Sequence, residues 1–181
     1  MGIDEAGRGP ICGPLVVACC VLPCGYQNEQ IYDSKKLSNK KRELLYDVIR
    51  EVALYYKIEV VSPRIIDENN IYQATKMAME KLAMSYPVDL VITDAMKLDI
   101  AKEHIALIKG DQKSIDIAAA SILAKVTRDH IMGGYDLMYP EYGYKSHEGY
   151  FTKRHKEALE RYGSRSFYRF SFEPSQRYRR Q

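Results

Sequence analysis

The sequence predicts a mixed α/β domain, a central β-sheet flanked by helices. Three observations point to it. Short runs rich in Val, Ile, Ala and Cys alternate with segments whose apolar residues recur every three or four positions. A chain of 181 residues has the length of one domain with a sizeable core. No repeat or low-complexity tract interrupts the alternation.

The elements follow in chain order. Residues 3–4 read as the end of a first strand, and residues 15–22, after two Gly-Pro turns, as a second. Ser38 caps a helix whose apolar face is Leu44, Leu45, Val48, Ile49 and Val52. Residues 55–61 alternate loosely and form a strand. Ser62-Pro63 opens a helix, with Ser as cap and Pro at the first helical position, and its body runs through Ile71, Ala74, Met77, Ala78, Lys81 and Leu82. Residues 90–94 form a short buried strand ending on the carboxylate of Asp94, and residues 105–108 another short strand. A long helix runs from 114 to about 132 on Ile115, Ala118, Ala119, Ile122, Leu123 and Val126. Gly133-Gly134 then weakens it, at roughly 1 kcal/mol per Gly relative to Ala. Residues 157–161 make a last short helix.

With 46% hydrophobic and 28% charged residues, the composition is that of a soluble globular protein. No apolar run reaches the roughly 18–20 residues of a membrane span, and residues 11–22 read as a buried strand rather than an export signal. A cytoplasmic chain with no membrane partner is expected. The four cysteines, Cys12, Cys19, Cys20 and Cys24, read as small buried hydrophobes. Cys19 and Cys20 face opposite sides of a strand and cannot share a metal there. The net charge of +3 is unevenly placed: residues 145–181 carry ten Lys/Arg against four Glu. All four Phe and seven of the fifteen Tyr fall after residue 138. Residues 1–138 therefore form the expected catalytic domain. Residues 139–181 form a basic, aromatic-rich segment packed on it, either a nucleic-acid surface or a set of aromatic core plugs beneath wet charges.

The residues that carry chemistry begin at the start of the chain, with Gly2-Ile3-Asp4-Glu5-Ala6-Gly7-Arg8-Gly9-Pro10. Adjacent Asp and Glu alternate in a regular strand, but both can serve one site where the pleat gives way to a turn. Oxygen ligands suit Mg²⁺ or Mn²⁺. Gly7 and Gly9 let the backbone approach a ligand, and the Arg8 fork matches a phosphate. The competing reading is a surface turn with two solvated acids. Phosphodiester hydrolysis needs a stabilised anionic transition state and a deprotonated water, and carboxylate-held divalent cations supply both. The candidate ligands are Asp4, Glu5, Asp94, Asp111 and Asp129. If residues 111–129 formed one helix, Asp111 and Asp129 would stand roughly 27 Å apart and could not share a site.

Together with Asp33-Ser34-Lys35-Lys36-Leu37-Ser38, Thr93-Asp94-Ala95, Lys109-Gly110-Asp111-Gln112-Lys113-Ser114, the 118–129 stretch Ala-Ala-Ala-Ser-Ile-Leu-Ala-Lys-Val-Thr-Arg-Asp, His147-Glu148-Gly149-Tyr150 and Ser171-Phe172-Glu173-Pro174, the opening motif resembles the ribonuclease HII family. Seven blocks stand in the family's order from residue 2 to about 174. The resemblance implies a ribonuclease H-like fold with a small helical C-terminal segment. It implies an endonuclease that cuts the RNA strand of RNA–DNA hybrids and nicks 5′ of single ribonucleotides in duplex DNA, leaving 3′-hydroxyl and 5′-phosphate ends. By the same resemblance, Asp4, Glu5, Asp94 and Asp111 are the catalytic and metal-binding quartet, served by Mn²⁺ or Mg²⁺. Asp129 then reads as structural, paired with Arg128 or Lys125. Gly7, Arg8 and Gly9 match the reader of the 2′-hydroxyl, and Tyr150 a tyrosine stacking at the RNA–DNA junction. Ser34, Lys35 and Lys36 are placed for backbone phosphates, with a solvated turn as the competing reading. A monomer acting on hybrid and ribonucleotide-containing duplex is expected. The chain departs from the family pattern in three places. Few residues precede the first motif, Ala95 stands where Gly is frequent, and Tyr168 stands where His is common before the Arg-x-Ser-Phe block.

Overall fold

The structure, a computed structural model, describes residues 1–32 and 34–179; Asp33 and the side chain of Lys35 lie outside the described part. Five strands form one mixed sheet: β1 Gly2–Ala6, β2 Leu15–Val21, β3 Tyr55–Val61, β4 Leu90–Asp94 and β5 Glu103–Leu107, in the order β3-β2-β1-β4-β5. β1–β2 and β2–β3 are antiparallel, while β1–β4 and β4–β5 are parallel. The helices are α1 Asn39–Val52, α2 Pro63–Ala83, α3 Ile115–Met138, α4 Tyr144–His147, α5 Lys153–Tyr162 and α6 Glu173–Gln176.

β2 shows why the sheet is covered on both faces. Its odd residues Leu15, Val17 and Cys19 pack with Ile3, Val91 and the α2 residues Ile66, Met79 and Leu82. Its even residues Val16, Ala18 and Cys20 pack with Leu45 and Ile49 of α1 and with Ala119, Ile122 and Leu123 of α3. The period-two alternation therefore separates two apolar layers, and Cys19 and Cys20 lie in different ones, as expected. Cys12 is buried too, whereas Cys24 is exposed, against the sequence expectation, because it lies in the turn after β2. A third cluster joins Ile11, Cys12 and Met132 to Tyr142, Tyr144, Leu159, Phe167 and Tyr168, fastening the C-terminal segment to the sheet domain. Most of the C-terminal aromatics are thus core; Tyr150 and Phe151 are the exposed pair.

The caps are those read from sequence. Ser38 Oγ accepts from Lys41 N at 3.3 Å, and Ser62 Oγ from Ile65 N at 3.4 Å. Four expectations need correction. Leu44 is exposed, because the inward face of α1 is set by Arg42, Leu45 and Ile49. Arg42 can take that place because its guanidinium donates to Ser34 O at 2.8 Å and Leu37 O at 2.6 Å. α2 is broken at Asn70, with φ 63°, whose Oδ1 caps the second segment by accepting from Gln73 N at 3.1 Å. α3 continues past Gly133-Gly134 to Met138, because Met132 is buried and Tyr135 stacks on Phe167 with centroids 4.0 Å apart. Such tertiary anchors outweigh the glycine penalty. The last expected helix starts earlier, at Lys153, where Thr152 Oγ1 accepts from His155 N at 3.3 Å.

Candidate active site

The parallel register brings the carboxylates together. Gly2 stands opposite Ile92 and Ile3 opposite Thr93, so the next step sets Asp94, the last residue of β4, beside Asp4 on β1. Neighbouring strands lie about 4.8 Å apart, which is the scale of that approach. Asp94 Oδ1 accepts from the backbone N–H of Gly110 at 2.9 Å. That bond ties the following Asp111, buried in a single turn of 3₁₀ helix before α3, to the same strand end. Ala95 adopts φ 55°, the left-handed region, which accounts for the frequent Gly there in the family it resembles.

Asp4 and Glu5 lie on alternating positions of β1, yet both line one cavity of about 450 Å³ at the strand's exit. Also lining it are Gly7, Arg8, Gly9, Ser34, Arg42, Ser121, Lys125, Arg128, Glu148 and Tyr150. Asp94 and Asp111 stand outside its lining, and Asp94 acts on Asp4 and Glu5 through its charge. Burial pushes the Asp4 carboxyl well above the usual carboxylate range, and the charges of Glu5 and then Asp94 push the same way. Hydrogen bonds from Glu5 N, at 2.7 Å, and from Ser121 oppose the shift. Glu5 is raised by burial, held back by Arg8 at 3.5 Å, and raised again by Asp94. Crowded, desolvated carboxylates of this kind are the surroundings a divalent cation relieves. Among the described residues no three His, Cys, Asp or Glu close into a ready-made cage. Mg²⁺ tolerates that, since it keeps waters and takes ligands from substrate phosphates. The residues present therefore fit hard divalent cations.

The Gly7-Arg8-Gly9 turn is fixed from beneath by two buried arginines. Arg128 donates from Nε to Pro14 O at 3.1 Å and from Nη2 to Glu148 O at 2.9 Å. Arg169 donates from Nε to Gly13 O at 3.0 Å and from Nη1 to Arg8 O at 3.1 Å. Burial, with the nearby Arg128 acting in the same direction, lowers the Arg169 pKa to about 9. With the Arg8 carbonyl turned onto Arg169, the N–H of Gly9, on the opposite edge of the same trans peptide, faces away from that arginine. Tyr150, 49% exposed, lies against Gly9.

Of the expected site residues, the cavity gathers Asp4, Glu5, Gly7, Arg8, Gly9, Ser34 and Tyr150. Ser34 is buried in the cavity wall, its Oγ 2.8 Å from the Oγ of Ser121 on α3. Lys36 is exposed and stands outside the cavity lining, and the Lys35 side chain lies outside the described residues. Asp129 pairs with Lys125 at 2.8 Å and Arg42 at 4.0 Å, as expected of a structural residue, while Arg128 turns to backbone carbonyls instead. The sequence reading gave no site role to Ser121, Lys125 and Arg128. Their spacing of four and three residues on one helix was the available signal, since it places a polar stripe on a single face.

The ribonuclease HII family profile matches residues 1–175. Over 175 residues the chain is 51% identical to the ribonuclease HII of Bacillus cytotoxicus, covering 96% of this chain and 68% of that one. The crystal structure of ribonuclease H2 from Pyrococcus horikoshii OT3 superposes with a TM-score of 0.81 at 28% identity, over 97% of this chain and 94% of that one. The Bst ribonuclease HIII in complex with Mn²⁺ shares the fold, with a TM-score of 0.63 at 16% identity over 97% of this chain and 67% of that one. The five-stranded sheet and its helices are therefore the ribonuclease H-like fold.

Proposed function

The chain belongs to the ribonuclease HII family and is a ribonuclease H acting on RNA–DNA hybrids, and from its site we propose that it cuts by two-metal-ion hydrolysis and nicks 5′ of single ribonucleotides in duplex DNA. The observation that carries this reading is the crowding of Asp4, Glu5 and Asp94 at one strand end, beside a glycine turn whose Arg8 carbonyl is tied to Arg169.

In this reading Asp4, Glu5, Asp94 and Asp111 hold Mg²⁺ or Mn²⁺. When bound, the cations activate the attacking water and neutralise charge on the scissile phosphate. The chain's own residues do the rest. The Gly110 N–H and the Ser121 hydroxyl orient the Asp94 and Asp4 carboxylates. Arg8, half-exposed at the mouth of the cavity, supplies a fork for a backbone phosphate. The backbone of Gly7, Arg8 and Gly9 reads the 2′-hydroxyl, the group by which RNA differs from DNA. Tyr150 stacks on the sugar-base step at the junction, and Ser34, Lys35 and Lys36 serve the phosphate track. The basic segment 139–181 extends that track, and the products carry 3′-hydroxyl and 5′-phosphate ends. The enzyme works as a monomer in the cytoplasm, where it removes ribonucleotides from DNA. Among the described residues no helix is long and apolar enough to cross a membrane.

The test is cleavage of a uniform RNA–DNA hybrid in Mg²⁺, Mn²⁺ and EDTA, by the wild type and by Asp4→Asn, Glu5→Gln, Asp94→Asn and Asp111→Asn. Loss of cleavage in EDTA and in all four variants supports the quartet. A variant that keeps near-wild-type turnover removes its residue from the site.

A further inference from the structure

Beneath Tyr150 runs a buried chain of polar side chains. Tyr144 Oη lies 2.8 Å from Tyr168 Oη, Tyr168 Oη 2.6 Å from His155 Nε2, and His155 Nδ1 2.8 Å from the carbonyl oxygen of Tyr150. Chemistry fixes the directions. A carbonyl only accepts, so Nδ1 carries a proton and donates it to Tyr150 O. Burial holds His155 neutral, its pKa lowered to about 4, so Nε2 is bare and accepts from the Tyr168 hydroxyl. Its single proton thus used, Tyr168 accepts from Tyr144. His147, stacked on His155 with centroids 4.3 Å apart, is oriented as firmly. Its Nδ1 accepts from Gly149 N at 3.2 Å and its Nε2 donates to Tyr142 O at 3.0 Å.

This chain spans elements far apart in sequence and ends on the backbone of one exposed aromatic. Tyr144, Tyr168 and His155 are all buried, while the Tyr150 ring is half-exposed in the cavity beside Gly9. The same segment is held from its other side, where Ile11 N donates to Gly149 O at 3.0 Å. Tyr168 is also a position where the chain departs from the family pattern, and the proposed function leaves it without a role.

We infer that Tyr168, acting through His155, is a positioning residue that fixes the Tyr150 ring against the Gly7–Gly9 turn and so sets the preference for a ribonucleotide embedded in DNA over a uniform hybrid. The inference rests on the reading of Tyr150 given above. Tyr168 touches neither the cavity nor the carboxylates, so it works only through the placement of its neighbour. Only the embedded ribonucleotide offers a single RNA-to-DNA step, so a displaced Tyr150 penalises that substrate more.

The readout is the ratio of kcat/KM for a single-ribonucleotide duplex to kcat/KM for a uniform RNA–DNA hybrid. A merely structural substitution lowers the folded fraction, which scales both values alike and cancels in the ratio. Tyr150→Ala lowers the ratio by roughly five- to a hundredfold, the loss of one stacking contact. Tyr168→Phe keeps the ring and removes one oxygen, and it lowers the ratio by about threefold or more in the same direction. The Tyr150→Ala/Tyr168→Phe double variant shows no further fall, because the second residue acts through the first. Tyr144→Phe leaves the Tyr168-to-His155 bond in place and leaves the ratio unchanged. Should Tyr168→Phe yield too little folded protein, His155→Gln interrupts the same chain and is read in the same assay. An unchanged ratio in Tyr168→Phe alongside a fall in Tyr150→Ala overturns the inference and spares the reading of Tyr150. An unchanged ratio in both overturns that reading and the inference with it. A fall in Tyr144→Phe as large as in Tyr168→Phe also overturns the inference.

Discussion

Gly7 and Gly9 sit two residues apart in the same turn, yet alanine at each should fail in a different way. Gly7 has φ +94°, and a Cβ there would stand 2.0 Å from Arg128 Nε and 2.4 Å from its Cδ. Arg128 cannot swing aside cheaply, because its guanidinium is spent on the carbonyls of Pro14, Cys12 and Glu148. Backbone strain of about 1–2 kcal/mol adds to an overpacking cost of about 1–3 kcal/mol. Gly7→Ala should therefore lose roughly 2–5 kcal/mol of stability, or a melting temperature lower by roughly 5–20 °C for a chain of this size. Gly9 has no such φ, and the atom nearest its added Cβ would be Tyr150 Cε1, at 3.1 Å, on a side chain that is half-exposed. Gly9→Ala should leave stability within about 1 kcal/mol and displace Tyr150 by a few tenths of an ångström. Its cost should fall on cleavage of a single-ribonucleotide duplex instead. Thermal melting and kcat/KM measured on both variants decide the matter. An unchanged melting temperature in Gly7→Ala, or an equal loss of melting temperature in the two, refutes the reasoning.

Other consequences can be measured separately. Asp94→Asn should abolish turnover with the fold intact, a loss of several kcal/mol of transition-state stabilisation. Asp129→Asn should keep activity and lose about 1–3 kcal/mol of stability, since its partners are Lys125 and Arg42; an inactive, folded Asp129→Asn beside an active Asp111→Asn would reverse the assignment. In EDTA, Asp4→Asn should melt higher than the wild type, because it removes a desolvated charge crowded by Glu5 and Asp94, and a lower melting temperature would contradict that crowding. His155 has a folded pKa of about 4, below its unfolded value, so the unfolded chain binds the extra proton between about pH 6.5 and pH 4. The corresponding stability is complete above pH 6.5 and falls by on the order of 3 kcal/mol as pH drops through that window. Denaturant melts of wild type and His155→Gln at pH 7 and pH 4.5 check it, the variant showing the smaller fall.

Much of this was legible in the residues. The β2 alternation, the Ser38 and Ser62 caps and the strand-end carboxylate of Asp94 are local signals, and local physics decides them. For Asp129 the residues pointed to a partner, and Lys125 is one it pairs with. What sequence could not carry were the contacts that outweigh local preference. Arg42 displaces Leu44 from the buried face because the carbonyls of Ser34 and Leu37 are there to receive it. α3 crosses Gly133-Gly134 because Phe167, more than thirty residues on, stacks on Tyr135. His155 shows no ligand spacing along the chain, and its partners Tyr150 and Tyr168 meet it only in the fold.

The central claim is that carboxylate-held cations at the β1 exit cut where a lone 2′-hydroxyl meets the glycine turn. The most direct measurement is incubation with end-labelled duplex DNA carrying one ribonucleotide, in Mg²⁺ or Mn²⁺ and in EDTA, beside the same duplex made wholly of DNA. A single metal-dependent nick 5′ of the ribonucleotide, with a 3′-hydroxyl and a 5′-phosphate and with the all-DNA duplex intact, is the predicted result. Undiminished cleavage in EDTA, or cutting of the all-DNA duplex at the same rate, would contradict it.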